Sequence, residues 1–233
     1  MRIILKSILY SVYLIKVSWK NYLPVSFYLI ISQFLVMYAQ NPYLVLLFFV
    51  GYLGISSPLV INIFRNIILE NDIKNSYIDF FKEDYTKIFI NRIFYLLSCT
   101  IVIYIIHIII LSPFFPSDIS KMTIYLYILF AYMIYIYSRI MFVLPGAACG
   151  LKKNLKDSYI FTKGKSIKIY FLYLVLIVPY VYLNILISGN ENLLEYKEIF
   201  VIISIIIQMV FTIISTALVG FIYKDIDIQE KKV

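Results

Sequence analysis

Arg139 is the one charge inside an apolar segment of this 233-residue chain. A charge in such a place is costly and marks a functional-site candidate by default. It lies six residues before Pro145, roughly two helical turns from the predicted end of its segment at ~1.5 Å per residue. A guanidinium can reach the interface from there, pair with a carboxylate such as Asp157, or clasp a lipid phosphate with its planar fork. His107 is the second candidate, flanked by Ile106 and Ile108. A proton relay or general base wants a carboxylate nearby, and no Asp or Glu falls inside any apolar segment. A neutral imidazole bonded to a neighbouring helix is expected instead, and Gln33, Asn184 and Gln208 are expected to be the same kind of inter-helix glue. Cys99 and Cys149 stand fifty positions apart, so neither a disulfide nor a metal site is predicted; a single histidine also excludes a multi-His centre within the chain. Gly-x-Ser-x-Gly, His-Glu-x-x-His and Walker A patterns do not occur. A hydrolytic nucleophile would have only His107 as its base. No catalytic residue and no cofactor is expected, and the chain reads as non-enzymatic.

The elements that position these residues follow from composition. Hydrophobic residues make up 62% of the chain and charged ones 15%, with a mean hydropathy of +0.89. That leaves too little polar surface to cover a soluble core. In lipid only helices or closed barrels satisfy the backbone, and a barrel would need alternating segments of ~10 residues. The apolar runs here are continuous, as in 101–111 and 169–177. An all-α polytopic integral membrane protein is predicted.

Charge marks the spans. No Asp, Glu, Lys or Arg separates Lys20 from Arg65. One span takes ~20 residues, so this run holds two helices joined at Gln40-Asn41-Pro42. Six spans are predicted, near 22–39, 43–64, 93–112, 122–144, 169–188 and 199–223, as one membrane domain over 1–233. Pro113 and Pro116 end the third and Pro145-Gly146 the fourth; Pro58 and Pro179 are expected to kink theirs. Gly51 and Gly54 are expected to let helices approach closely. The Gly146–Gly150 spacing matches GxxxG but is expected to be a flexible exit from span four. All but two of the 21 Lys and Arg fall on one side of this scheme, the exceptions being Lys121 and Lys197. The positive-inside rule puts both termini in the cytoplasm. A cleavable signal peptide is not expected, because a cut after Ala39 would place Met37 where a small residue belongs. The net charge of +8 is read as a cytoplasmic face for anionic lipid, with no nucleic-acid partner, since the aromatics sit inside the apolar runs rather than among the basic residues.

A basic amphipathic stretch precedes each odd-numbered span, and each is predicted to form an interfacial helix. In the first, Ile4, Ile8, Val12, Ile15 and Trp19 share a face away from Lys6, Lys16 and Lys20. In the second, Tyr77, Phe81, Tyr85 and Ile88 form a stripe opposite Asp79, Lys82, Glu83 and Lys87. Ser76-Tyr77-Ile78 followed by Lys87-Ile88-Phe89 parallels Ser158-Tyr159-Ile160 followed by Lys168-Ile169-Tyr170. The chain thus reads as three parallel modules, near 1–70, 71–145 and 146–233.

From Arg139 to Gly164 the chain resembles the YciC-like bacterial inner-membrane proteins, and also the six-span membrane domains attached to some glycerophosphodiester phosphodiesterases. The shared signature is an Arg and a Pro ending one span, then a Ser, then Thr-Lys/Arg-Gly. Here these are Arg139, Pro145, Ser158 and Thr162-Lys163-Gly164. Asn154 stands where the family has Ala, and the connector between Pro145 and Ser158 is short. The resemblance implies an inner-membrane location and carries no assigned activity. Its motif has a structural sense: Ser158 is expected to cap a short helix that Gly164 ends in a left-handed conformation. Arg139, Lys152, Lys153, Lys156 and Lys163 are the expected lipid-binding residues. A lipid-binding or lipid-organising role in envelope homeostasis is the leading functional expectation; a scaffold subunit of a membrane complex and a small-solute transporter are the alternatives.

Overall fold

The computed structural model describes residues 2–39, 42–71, 78–111, 119–188 and 197–230. The predicted external loops with Pro113, Pro116, Asp118, Glu191 and Glu195, and the segment holding Lys74, Ser76 and Tyr77, lie outside the described residues, as does the Asn184 side chain. Every regular element among the described residues is helical: α1 Arg2–Ser18, α2 Leu23–Ala39, α3 Pro42–Leu69, α4 Asp84–Leu111, α5 Ile119–Ile140, α6 Val143–Ala148, α7 Leu155–Phe161, α8 Ser166–Ser188 and α9 Lys197–Glu230, with 3-10 turns at Trp19–Asn21 and Ile78–Lys82. Among the described residues four helices are long and apolar enough to cross a membrane, over Leu47–Leu69, Asp84–Ile110, Ala131–Ala148 and Ile202–Asp227. A fifth arises if α7 and α8, bent 99° from each other, are counted together, and Leu23–Leu35 is a shorter apolar helix.

Several helices outrun the predicted spans. Charge ends a membrane crossing but not a helix, so α4 begins at Asp84 rather than near 93, its first-turn carboxylate favoured by the helix N-terminus. Among the described residues of the second predicted interfacial helix, Ile78–Lys82 is a 3-10 turn, and Tyr85 and Ile88 already belong to α4. Thr86 clamps the junction by donating its hydroxyl to the Phe80 carbonyl, 2.5 Å away.

α9 and α3 form the axis of the bundle, with α1, α2 and α8 packed on α9 and α4 on α3. Gly220 sets their spacing, since a Cβ there would meet Ile67 Cδ1 at 3.1 Å. Gly51 likewise admits the Tyr28 ring, whose hydroxyl donates to the Phe48 carbonyl. Core side chains concentrate where α3 and α9 end and α4 and α8 begin, around Phe64, Phe89, Ile169, Leu218 and Tyr223. Farther along α4, Ile101, Ile105 and Ile109 face outward.

α1 turns the expected way round for lipid, not for water. Its buried positions are Ser7, Ser11, Leu14 and Ser18, at i, i+4, i+7 and i+11, while Ile8, Val12 and Ile15 are exposed. The small serines let α1 approach α9, and their hydroxyls are satisfied internally, Ser11 on Ser7 and Ser18 on Leu14.

Candidate functional site

The site is the corner where α5 ends and α6 and α7 turn beneath it. Pro145 does not stop the helix, as the residue pattern predicts, but is the third residue of α6. In the first turn a missing N–H leaves no intrahelical bond unmade. The interruption falls four residues earlier, at Met141-Phe142, because Pro145 has no N–H for the Met141 carbonyl. Leu144 donates to that carbonyl instead, at 3.0 Å. Nor is Gly146–Gly150 a flexible exit. Gly150, at φ +82°, closes a Schellman cap in which Leu151 N–H bonds the Gly146 carbonyl and Gly150 N–H the Ala147 carbonyl, both at 2.9 Å.

Ser158 is not the cap of α7. Asn154 takes that place in a capping box, accepting from Asp157 N–H at 2.9 Å while the Asp157 carboxylate accepts from Asn154 N–H at 2.8 Å. Asp157 is thereby committed to its own helix. Ser158, 2% exposed, donates to the Arg139 carbonyl at 2.7 Å, one of the carbonyls that the end of α5 leaves unpaired. Gly164, at φ +77°, lies in the turn between α7 and α8.

The Arg139 side chain closes the same joint from the other direction. Only 7% exposed, it donates from Nη2 to the Tyr159 carbonyl at 3.0 Å and from Nε to Thr162 Oγ1 at 3.3 Å. Its guanidinium carbon lies 3.5 Å from the centre of the Tyr159 ring. No carboxylate among the described residues pairs with it. The cation is instead held by the carbonyl end of a short helix and an aromatic face. Arg65 anchors the far side, donating to the Ala148 carbonyl at 3.2 Å with its guanidinium 4.1 Å from the Tyr85 ring.

The lysines divide. Lys153 is half-buried, its stem across Gly146 and its ammonium 4.8 Å from the Phe161 ring and 5.0 Å from that of Tyr223. Lys152, Lys156 and Lys163 are exposed. Exposed apolar side chains stand among them in the chain: Leu151, Tyr159, Ile160 and Ile167. A cleft of 120 Å³ beside the start of α8 carries Lys165, Lys168 and Asp225. Burial pushes the Cys149 thiol up to about 11, against the partial pull of Arg65. It is protonated at neutral pH and a poor nucleophile.

The remaining candidates scatter. Among the described residues His107 bonds its own helix rather than a neighbouring one: its Nδ1 donates to the Ile103 carbonyl at 2.7 Å, and its ring lies 5.0 Å from that of Tyr132 on α5. Gln33 and Gln208 both line a shallow pocket beside Tyr52. Cys99 and Cys149 are free thiols. The aromatic partners Tyr85, Tyr159, Phe161 and Tyr223 were not legible as such. In a chain with 23 Tyr and 18 Phe, a ring near a cation in sequence is not a signal. No family model, characterised protein or solved structure matches this chain.

Proposed function

We propose that the chain is a six-span, non-enzymatic protein of the YciC-like kind, resident in the bacterial inner membrane with both termini cytoplasmic, which binds anionic lipids of the cytoplasmic leaflet at the α6–α7 corner. Counting α2 and α8 as crossings beside the four longer helices gives the six spans. The observation that carries the reading is the corner's surface. Exposed Lys152, Lys156 and Lys163 accompany exposed Leu151, Tyr159, Ile160 and Ile167 on and around a short helix turned 99° from α8. A helix at that angle to a crossing lies along the membrane plane, where apolar side chains enter the acyl boundary and ammonium groups meet phosphates. Each such lysine contributes ~1 kcal/mol near an anionic surface. Arg139 has a positioning role in this reading: it holds α7 against the end of α5 so that the lysines are presented together.

Native mass spectrometry of the mildly solubilised protein tests it. The wild-type chain is expected to retain phosphatidylglycerol in preference to phosphatidylcholine, and the combined variant Lys152→Gln, Lys156→Gln, Lys163→Gln to lose that preference. Equal retention by the two proteins, or a protein subunit carried in place of lipid, refutes the reading and favours a scaffold.

A further inference from the structure

We infer that the interior of the bundle is a binding site for a single lipid acyl chain, separate from the basic corner. A cavity of about 380 Å³ lies between α3, α4, α5, α8 and α9, within the ~300–1,000 Å³ of pockets that enclose small molecules. No charged residue lines it. Much of its polar lining is turned back into the wall: Ser57 donates to the Leu53 carbonyl at 2.5 Å, Thr100 to that of Leu96 at 2.8 Å, and the Tyr52 and Thr212 hydroxyls bond each other at 2.9 Å. With those groups answered by the protein, the cavity presents hydrocarbon. A hydrated solute would find few partners there, whereas a chain of methylenes needs none.

The cavity also has an acyl chain's length. Its lining on α4 runs from Phe89 to Thr100, about 16 Å at 1.5 Å per residue. One leaflet's chains fill half of a hydrocarbon core ~30 Å thick. It lies in the half of the bundle where α4 and α8 begin, so a chain inside would sit at the depth of one leaflet. Phe49, in the lining on α3, is 45% exposed, and a chain would enter laterally beside it.

The test uses the intact protein in phosphatidylcholine vesicles doped with a diazirine-bearing acyl probe. One arm carries the diazirine in a phospholipid chain, the other in free palmitate, which separates the two sources of the same hydrocarbon. After photolysis, label is expected on peptides covering 96–100 and 211–216 in at least one arm, saturating near one per protein. Thr100→Phe and Ser215→Phe, which project a ring into the cavity, should lower that label at least fivefold. Label on the outward Ile105 and Ile109 should persist in them and report that the bundle still inserts. Thr100→Val, equal in size, should keep the cavity label, and so should the triple lysine variant, since the corner is not involved. Cavity peptides labelled no more than the outward face of α4 in the wild type would overturn the proposal, whatever the folding of the variants. Unchanged labelling in the two Phe variants would overturn it as well.

Discussion

Replacing Arg139 by Met keeps the stem and removes the guanidinium, and the structure sets what this should cost. Two hydrogen bonds from a charged donor are lost, to the Tyr159 carbonyl and to Thr162 Oγ1, worth ~1.5–3 kcal/mol each. The stack on the Tyr159 ring adds up to ~2 kcal/mol when desolvated. Against this stands relief: a buried cation with no carboxylate beside it carries a desolvation penalty of several kcal/mol, which Met does not. The acceptors are also not wholly orphaned, since Thr162 still donates to the Ser158 and Tyr159 carbonyls at 3.2 and 3.1 Å. The balance is about 2 kcal/mol, or ~30-fold in an equilibrium constant. It should appear locally, because seven residues form no helix unaided. Hydrogen exchange measured by mass spectrometry checks this. The Ser158 and Thr162 amides, bonded to the Asn154 and Ser158 carbonyls at 3.1 Å each, should lose ~30-fold of their protection, while α3 and α9 keep theirs. Arg139→Lys keeps the charge but loses the planar fork and the stack, and should recover only part of it. Unchanged protection in the Met variant, or full recovery with Lys, would refute the account of the joint given above.

Ser11→Leu should lower stability by ~1–3 kcal/mol by forcing α1 off α9, whereas Val12→Leu, one position on but outward-facing, should leave thermal unfolding in detergent unmoved. Equal effects at the two positions would mean that the serine face is not the packed one. In a background lacking Cys99 and Cys149, single cysteines replacing Lys121 or Lys197 should react with an impermeant maleimide added outside intact cells. Cysteines replacing Lys82 or Lys156 should not, and the reverse pattern would invert the topology.

What the sequence made legible is what depends on a single segment. α2 ends at Ala39 and α3 starts at Pro42, around the predicted turn, because a proline after polar residues disfavours helix through local sterics alone. Helix ends set by hydrogen bonding were not legible. The 28 residues of α4 and the 34 of α9 extend beyond the charge-free runs of the sequence, because Asp84, Lys224 and Asp227 are tolerated in a helix whose backbone bonds are already made. Pro145 misled for a related reason: a proline's effect is displaced to the carbonyl four residues upstream, and the reading placed it at the proline itself. The three predicted modules show the limit of local likeness. Their leading stretches adopt a 17-residue helix, a 3-10 turn and a seven-residue helix, so similar residues have taken their form from what packs on them.

The corner and α1 share one physical cause for their arrangement. In water, an amphipathic pattern tells which face is inside, because burying apolar surface drives the packing. In a bilayer the apolar face is already solvated, and helices meet through small residues and polar contacts. The Ile8–Val12–Ile15 stripe therefore points outward and the Ser7–Ser11–Ser18 face inward, the reverse of the soluble reading. The same inversion puts cations inside the corner. Arg65, Arg139 and Lys153 sit on Tyr85, Tyr159 and Phe161, where rings and helix-end carbonyls hold a charge without a carboxylate. The three corner lysines left outside, Lys152, Lys156 and Lys163, are then the ones the proposed lipid contact draws on, which is why positional exposure, and not the basic count, selects the residues whose neutralisation should matter.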